Sequence, residues 1–324
     1  MSVMETRRGF IKQGSILALS GMVRPSGFNF YYPNSMKNEE TTTHWPDGSK
    51  LVVSVSMQFE AGGQPDNAES PFPQNMKTGF RDLPGATWFA YGYKEGIPRM
   101  LDNWDKLGIK VTSHMVGSAV LKHPELAKEI VQRGHEAAAH GMNWSTQYTM
   151  PYDEEKKFIE DGVKAIKQVT GFDAVGYNAN WLRRGENTLK ILQELGFTYH
   201  IDDVSRDEPF VIKVENKDFA VVPYTIRCND IVLLEGKNFS ADQFVNQVKM
   251  EFDQLYLEAE HRRRMMSISF HDRISGTPQM VTAAKEIFTY IKQHDGVSFK
   301  RKDEIAQITL NDPKALRETP AETI

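Results

Sequence analysis

The chain has little of what would point to several large classes of protein. One cysteine, Cys228, stands among 324 residues, so no internal disulfide can form and a buried free thiol is expected. No apolar run reaches the length of a membrane-spanning helix; "GSILALSGMV" (Gly14–Val23) is about half the roughly 20 residues required. Positive charge is not in surplus: 39 Lys and Arg against 43 Asp and Glu leave a formal net charge of −4, which implies neither nucleic acid nor a membrane surface as partner. Internal repeats and low-complexity tracts are missing too, which sets aside solenoids and disordered arrays.

What is present fits an ordinary globular protein with a sizeable core, at 40% hydrophobic residues. The first residues read as targeting rather than fold. "TRRGFIK" (Thr6–Lys12) followed by the short apolar segment has the form of a twin-arginine-like signal peptide over residues 1–23, with small residues for cleavage after Ser20 and a periplasmic destination. Residues 24–45, rich in Pro, Asn, Ser and Thr, read as a linker, residues 46–310 as one barrel domain and residues 311–324 as a C-terminal tail.

Within the domain, strand and helix patterns alternate. Leu51–Glu60 and Lys110–Val116 read as strands, with helices at Gly96–Leu107 and Pro124–Arg133. "HEAAAHG" is a short strand, then come helices at Asp153–Val169 and Asn187–Leu195 and the strand "AVVPYT" (Ala220–Thr225). A long helix from Ala241 to about Arg263, closed by the dipole-complementing run "HRRR" (His261–Arg264), precedes the strand "MMSISFH" and a helix over Pro278–His294. Such even alternation predicts an α/β fold with a parallel sheet, closed into a barrel with helices outside.

Alternate residues of a strand share a face. In "LVVSVSMQFEAGG" one face carries Leu51, Val53, Val55, Met57 and Phe59, which should meet helices; the other carries Val52, Ser54, Ser56, Gln58 and Glu60. "MMSISFHD" repeats the design, with Ser267, Ser269 and His271 on its small polar face. Two strands far apart in sequence therefore each end in a proton-transfer residue, and in a parallel barrel those ends converge on one rim. A carboxylate and an imidazole there suit general base and general acid work. His135 and His140 of "GHEAAAHG" are five apart, which puts them on opposite faces of a strand and about 140° apart on a helix, so they cannot share one metal. His140 is the one at the strand's end, facing the rim. His114, mid-strand in "VTSHMVG", reads as a core histidine.

These stretches, together with "YGYKEGIPRML", "KHPELAKEIVQRGHEAAAHGMNW", "NTLKILQELGFTYHIDD" and "VVPYTIRCND", resemble the polysaccharide deacetylase superfamily (the NodB homology domain) from about Pro46 to Ile305, and within it the allantoinase-like, metal-independent branch. The resemblance implies a distorted (β/α)7 TIM-like barrel. It implies Glu60 at the base position and His271 at the acid position. Of the family's three metal ligands, the aspartate falls on Ala61, the first histidine on His140 and the second on Trp144, and the deacetylase arginine-proline motif is missing from "GYNANWLRR". Two of three ligands are absent, so no metal and no cofactor is expected.

The reading that follows is a hydrolase of a non-peptide carbon–nitrogen bond in a small amide, ureide or glycan. Glu60 is its base and His271 its acid; His140, Asn229 and Asp230 hold polar edges, and Trp144, Trp181 and Arg183 line the pocket. Two other readings stand beside it. One is a metal-dependent deacetylase of a carbohydrate, which export favours; the other is a non-catalytic carbohydrate- or ureide-binding relic of the fold. Self-association into a homo-oligomer is left open.

Overall fold

The computed structural model describes residues 45–321, apart from 66–67, 69–70, 73–75 and 78. The leader at 1–23 and the linker lie outside the described residues except for Trp45, which is buried and donates from Nε1 to the Arg264 carbonyl, 3.0 Å away.

The first half of the domain contains β1 (Leu51–Phe59), α1 (Leu83–Tyr91), α2 (Ile97–Leu107), β2 (Thr112–Met115), α3 (Gly117–Lys122), α4 (Pro124–Gln132), β3 (Glu136–Ala139) and α5 (Tyr152–Thr170). It continues through β4 (Gly176–Tyr177), α6 (Thr188–Glu194), β5 (Tyr199–His200), β6 (Phe210–Val214), β7 (Lys217–Val221) and α7 (Ala241–Glu258). The last third holds β8 (Arg264–His271), α8 (Asp272–Ser275), α9 (Pro278–Ile291), β9 (Val297–Phe299), α10 (Lys302–Asn311) and β10 (Leu316–Glu318). A π-helical turn, Gly92–Gly96, joins α1 to α2.

The strands form one sheet in the order β10-β6-β7-β5-β4-β3-β2-β1-β8, with β9 also on β1. All pairs are parallel except the β6–β7 hairpin, whose two turn residues Glu215 and Asn216 have the positive φ of a type I′ turn (45° and 67°). That hairpin is absent from the sequence-based pattern. The expected strand over Ala220–Thr225 starts earlier and stops at Val221, because Pro223 has no N–H to offer a ladder. The ladder itself stays open: β10 and β8 are its two ends, and no strand pairs with the far side of β8 among the described residues. The irregular segment after β7 fills that gap: Val222 N–H donates to the His200 carbonyl (3.0 Å), Ser267 N–H to the Thr225 hydroxyl (3.0 Å), and Asn229 bridges Ser269.

The two faces of β1 separate as their alternation requires. Leu51, Val53, Val55, Met57 and Phe59 join the large core against the helices, where Trp104 of α2 meets Phe270 of β8 at 5.4 Å and Phe288 of α9 at 5.6 Å. Val52 and Met265 lie in a smaller inner core with Tyr199, Val222 and Tyr224, together with Ile305 and Ala306 of α10. Lys302, at the start of α10, is fully buried and donates to Ser54 (3.1 Å) and Ser267 (2.9 Å) on the inner faces of β1 and β8.

Two further differences concern basic and C-terminal segments. α7 ends at Glu258, so "HRRR" does not close it; Arg264 already begins β8, in register with Leu51. Arg262 and Arg264 instead reach back to the Glu258 carboxylate (3.0 and 2.7 Å), and Arg263 pairs with Asp312. The stretch read as a tail supplies β10, which pairs with β6.

Candidate active site at the carboxyl ends of the strands

Glu60 follows β1 and is 4% exposed. The turn after it is pinned by Asp272, whose Oδ2 accepts the N–H groups of both Glu60 (2.9 Å) and Ala61 (2.8 Å). The two glycines that follow have separate reasons. Gly62 adopts φ 105°, and a side-chain carbon on Gly63 would sit 2.4 Å from Val116. Asp272 and Arg273 enter from the first turn of α8, directly after β8. Arg273 Nη1 lies 2.8 Å from Glu60 Oε2, and the fully buried guanidinium sits 4.8–5.0 Å from the ring centres of Trp144, Trp88 and Phe89.

The neighbouring strands bring two imidazoles to the other oxygen. β8 pairs with β1 so that His271 stands opposite Gln58, which puts His271 Nε2 3.7 Å from Glu60 Oε1. Its Nδ1 is 2.5 Å from Asp230 Oδ1, while its backbone N–H and the Ser275 hydroxyl both donate to Asp230 Oδ2 at 2.6 Å. Since the carboxylate only accepts, Nδ1 carries the hydrogen, and Nε2 is the atom left to exchange a proton. His140, delivered by the end of β3, donates from Nδ1 to the Asn178 carbonyl (2.7 Å) and places Nε2 3.3 Å from Glu60 Oε1. Asn178 is itself anchored through its side-chain amide to Asp202 at 2.8 Å.

These contacts decide the charges. Burial pushes the Glu60 carboxyl upward, but the positive charges of His271 and Arg273 and the hydrogen bond with His140 outweigh it and hold Glu60 well below the usual carboxylate range. Burial opposes the His271 imidazolium, yet Asp230 and Glu60 overcome it and raise its pKa above the ordinary value. The resting site therefore pairs an ionised carboxylate with an imidazole inclined to hold its proton.

Above these groups opens a narrow cleft. Glu60, His140, His271, Trp144, Trp181 and Asn229 all line it, as do Gln58, Asn178 and Tyr224, which sequence reasoning did not single out. Leu182, Ile226, Ile231 and Val232 make its apolar wall. Asp230 is brought to the site but fully buried behind His271, so it acts on the imidazole and not on a polar edge of a substrate. Arg183 is not brought to the cleft. Trp181 and Leu182 both adopt left-handed backbone (φ 56° and 59°), and the next residue, Arg183, borders a separate surface groove with Tyr148 and Glu155. Arg273 was missed although "SFHDR" carries it, because strand alternation says nothing about residues beyond the strand's end.

The chemistry of the donors does not fit the family's three-ligand metal site. A side-chain carbon on Gly92 would lie 2.8 Å from the Ala61 methyl, so Ala61 packs against the π-helical turn and offers no donor. Trp144 has an indole N–H, which only donates. His140 has one nitrogen on a backbone carbonyl and the other directed at Glu60. Among the described residues no group of three His, Cys, Asp or Glu side chains is arranged to hold a metal ion.

Comparison with known proteins gives a consistent picture. The polysaccharide deacetylase family profile matches residues 86–200. The chain is 25% identical over 297 residues to a putative polysaccharide deacetylase of Schizosaccharomyces pombe, covering 82% of this chain and 92% of that one. It is also 25% identical to a peptidoglycan deacetylase of Helicobacter pylori, over 65% of this chain and 82% of the other. Among solved structures, a probable polysaccharide deacetylase from Pseudomonas aeruginosa PAO1 superposes with TM-score 0.78 at 26% identity, covering 87% of this chain and 99% of its own. Puue allantoinase does so with TM-score 0.77 at 27% identity, over 86% and 97%.

Proposed function

Because the chain belongs to the polysaccharide deacetylase superfamily, we propose that it is a hydrolase of a non-peptide carbon–nitrogen bond that works without a divalent ion, with Glu60 as base and His271 as acid. The observation that carries this reading is the pair itself. A carboxylate kept ionised and an imidazole kept protonatable face one another at 3.7 Å on the floor of a cleft, each oriented by a buried partner.

Glu60 takes a proton from water as the water oxygen attacks the substrate carbonyl carbon. His271 Nε2 then gives its proton to the departing nitrogen, the carbon–nitrogen bond breaks to leave an acid and an amine, and the proton held by Glu60 passes to His271, restoring both groups. His140 and Asn229 face the polar edges of the substrate, and Asp230 keeps His271 in the tautomer that acts through Nε2. A carboxylate whose pKa is held low is a weak base, which favours an activated carbonyl over a simple acetamide. Cyclic ureides and imides meet that demand, and a cleft walled by Trp144, Trp181 and Leu182 suits a small flat ring.

The second reading, removal of acetyl groups from a carbohydrate, is supported by the names of the fungal and bacterial relatives and by the twin-arginine-like leader, which suits an exported enzyme. A binding relic has no need of an oriented base and acid, and Asp230, Ser275 and Arg273 all serve that orientation.

The test is a screen of cyclic ureides, cyclic imides and acetylated sugars with and without exhaustive chelation. Turnover of a ureide or imide is expected to survive the chelator and to fall by about 10²–10⁴-fold in Glu60→Gln. Chelator sensitivity reversed by added zinc would sink the metal-free mechanism.

A further inference from the structure

The barrel interior below the cleft contains polar side chains that hydrolysis does not use. Pairing between strands puts Ser56 in register with Thr112 and Ser269, and His114 in register with Gln58 and Ala138, all on the inner face. His114 and Ser56 are fully buried, and neither the two ring nitrogens of His114 nor the Ser56 hydroxyl meets a protein donor or acceptor. The charges of Lys302, at the start of α10, and of His140, Glu60 and His271, on the cleft floor, all act on the ring. Burial and Lys302 hold its pKa well below the usual histidine value, so it is neutral.

A neutral imidazole has one N–H to give and one lone pair to fill, and a hydroxyl has one hydrogen and two lone pairs. Buried groups of this kind are almost always satisfied, by protein or by ordered water. Protein does not satisfy these. A cation is a poor alternative, because the acidic neighbours are engaged: Glu60 by Arg273, and Glu136 by Thr112 and Tyr199 at 2.6 Å each. The side chains around His114 are small: barrel layers are usually filled by branched apolar residues, whereas Ser56, Ala138 and Ser269 stand in this register.

We propose that ordered water is bound on the barrel axis at His114, bridging its ring nitrogens to the Ser56 hydroxyl and forming a wet floor beneath Glu60, His140 and His271. This internal site is separate from the hydrolytic reaction, and its test does not measure turnover.

A crystal structure of the wild-type chain at about 1.5 Å resolution is expected to show at least one water within about 3.2 Å of a His114 ring nitrogen. An interior without water there, or a His114 bonded directly to protein, overturns the proposal. Oxygen-17 relaxation dispersion of the solvent gives a second readout, counting long-lived internal water. The double variant Ser56→Ala with His114→Leu is expected to lose at least one such molecule relative to wild type, and an unchanged amplitude in the folded variant overturns the proposal. Should that variant not fold, the wild-type crystal structure decides.

Discussion

Replacing Arg273 by glutamine tests the electrostatic core of the site. The guanidinium is fully buried, 2.8 Å from Glu60 and 3.5 Å from Asp272, so its loss leaves two buried carboxyl groups short of their compensating charge. Breaking a buried pair by removing one partner costs about 3–5 kcal/mol. At roughly 2–4 °C per kcal/mol for a domain of this size, the melting temperature should fall by about 10 °C at pH 7. The sign of the pH dependence follows from Glu60. Its wild-type pKa is depressed, so its contribution is present above the unfolded value near 4.3 and is lost as pH falls. Without Arg273 the Glu60 pKa rises, the carboxyl escapes its penalty by taking a proton, and the deficit relative to wild type shrinks between pH 7 and pH 4. Adding Glu60→Gln should restore part of the loss, because the pair is then neutral on both sides. Differential scanning calorimetry of wild type, both single variants and the double variant across that pH range measures all of this. A shift under about 2 °C at pH 7, or strictly additive single effects, would refute the reasoning.

Asp230→Asn should lower the His271 pKa, because Asp230 is the larger of the two charges that overcome burial there. As His271 must be protonated to act as the acid, the alkaline limb of kcat/KM should move to lower pH and the rate drop by about 10²-fold, measured on whichever ureide or imide is turned over. Lys302 is pushed down to about 7 by burial, so between pH 7 and 10 the unfolded chain binds the extra proton and wild-type stability rises with pH by up to about 4 kcal/mol. Lys302→Met should remove that rise, which urea unfolding at the two pH values would show.

Most of the scaffold was legible because parallel strands of a barrel obey local rules. The alternation from Val53 to Phe59 and from Met266 to His271 is strict, and the observed register sets Gln58 against His271 as two strands ending at one rim require. Glu60, His140 and His271 were therefore findable from period and position alone. The residues that set their charge were not. Arg273 and Asp272 lie past the strand, where direction depends on how the chain turns into α8. Asp230 sits at the start of a π-helical turn, Ile231–Glu235, and its inward carboxylate is specified by a partner 41 residues away in β8. Arg183 was misplaced for the converse reason, since two consecutive left-handed residues without glycine precede it, and no sequence signal marks them.

That division bears on how the site can work. The groups legible from strand pattern are the ones that would touch a substrate, and each came with an obvious role as acid, base or wall. Those hidden by tertiary context, Arg273, Asp272 and Asp230, are fully buried and meet the first set only through hydrogen bonds and charge. A divalent ion supplies positive potential at one point next to the base. Here positive potential near Glu60 is spread over a guanidinium held among three aromatic rings and two imidazoles, one of them backed by its own carboxylate. Such an arrangement keeps Glu60 ionised at the expense of its basicity. Under the proposed mechanism the substrate must then bring its own activation, which a ring carbonyl whose nitrogen also bears a second carbonyl provides and an acetamido group does not.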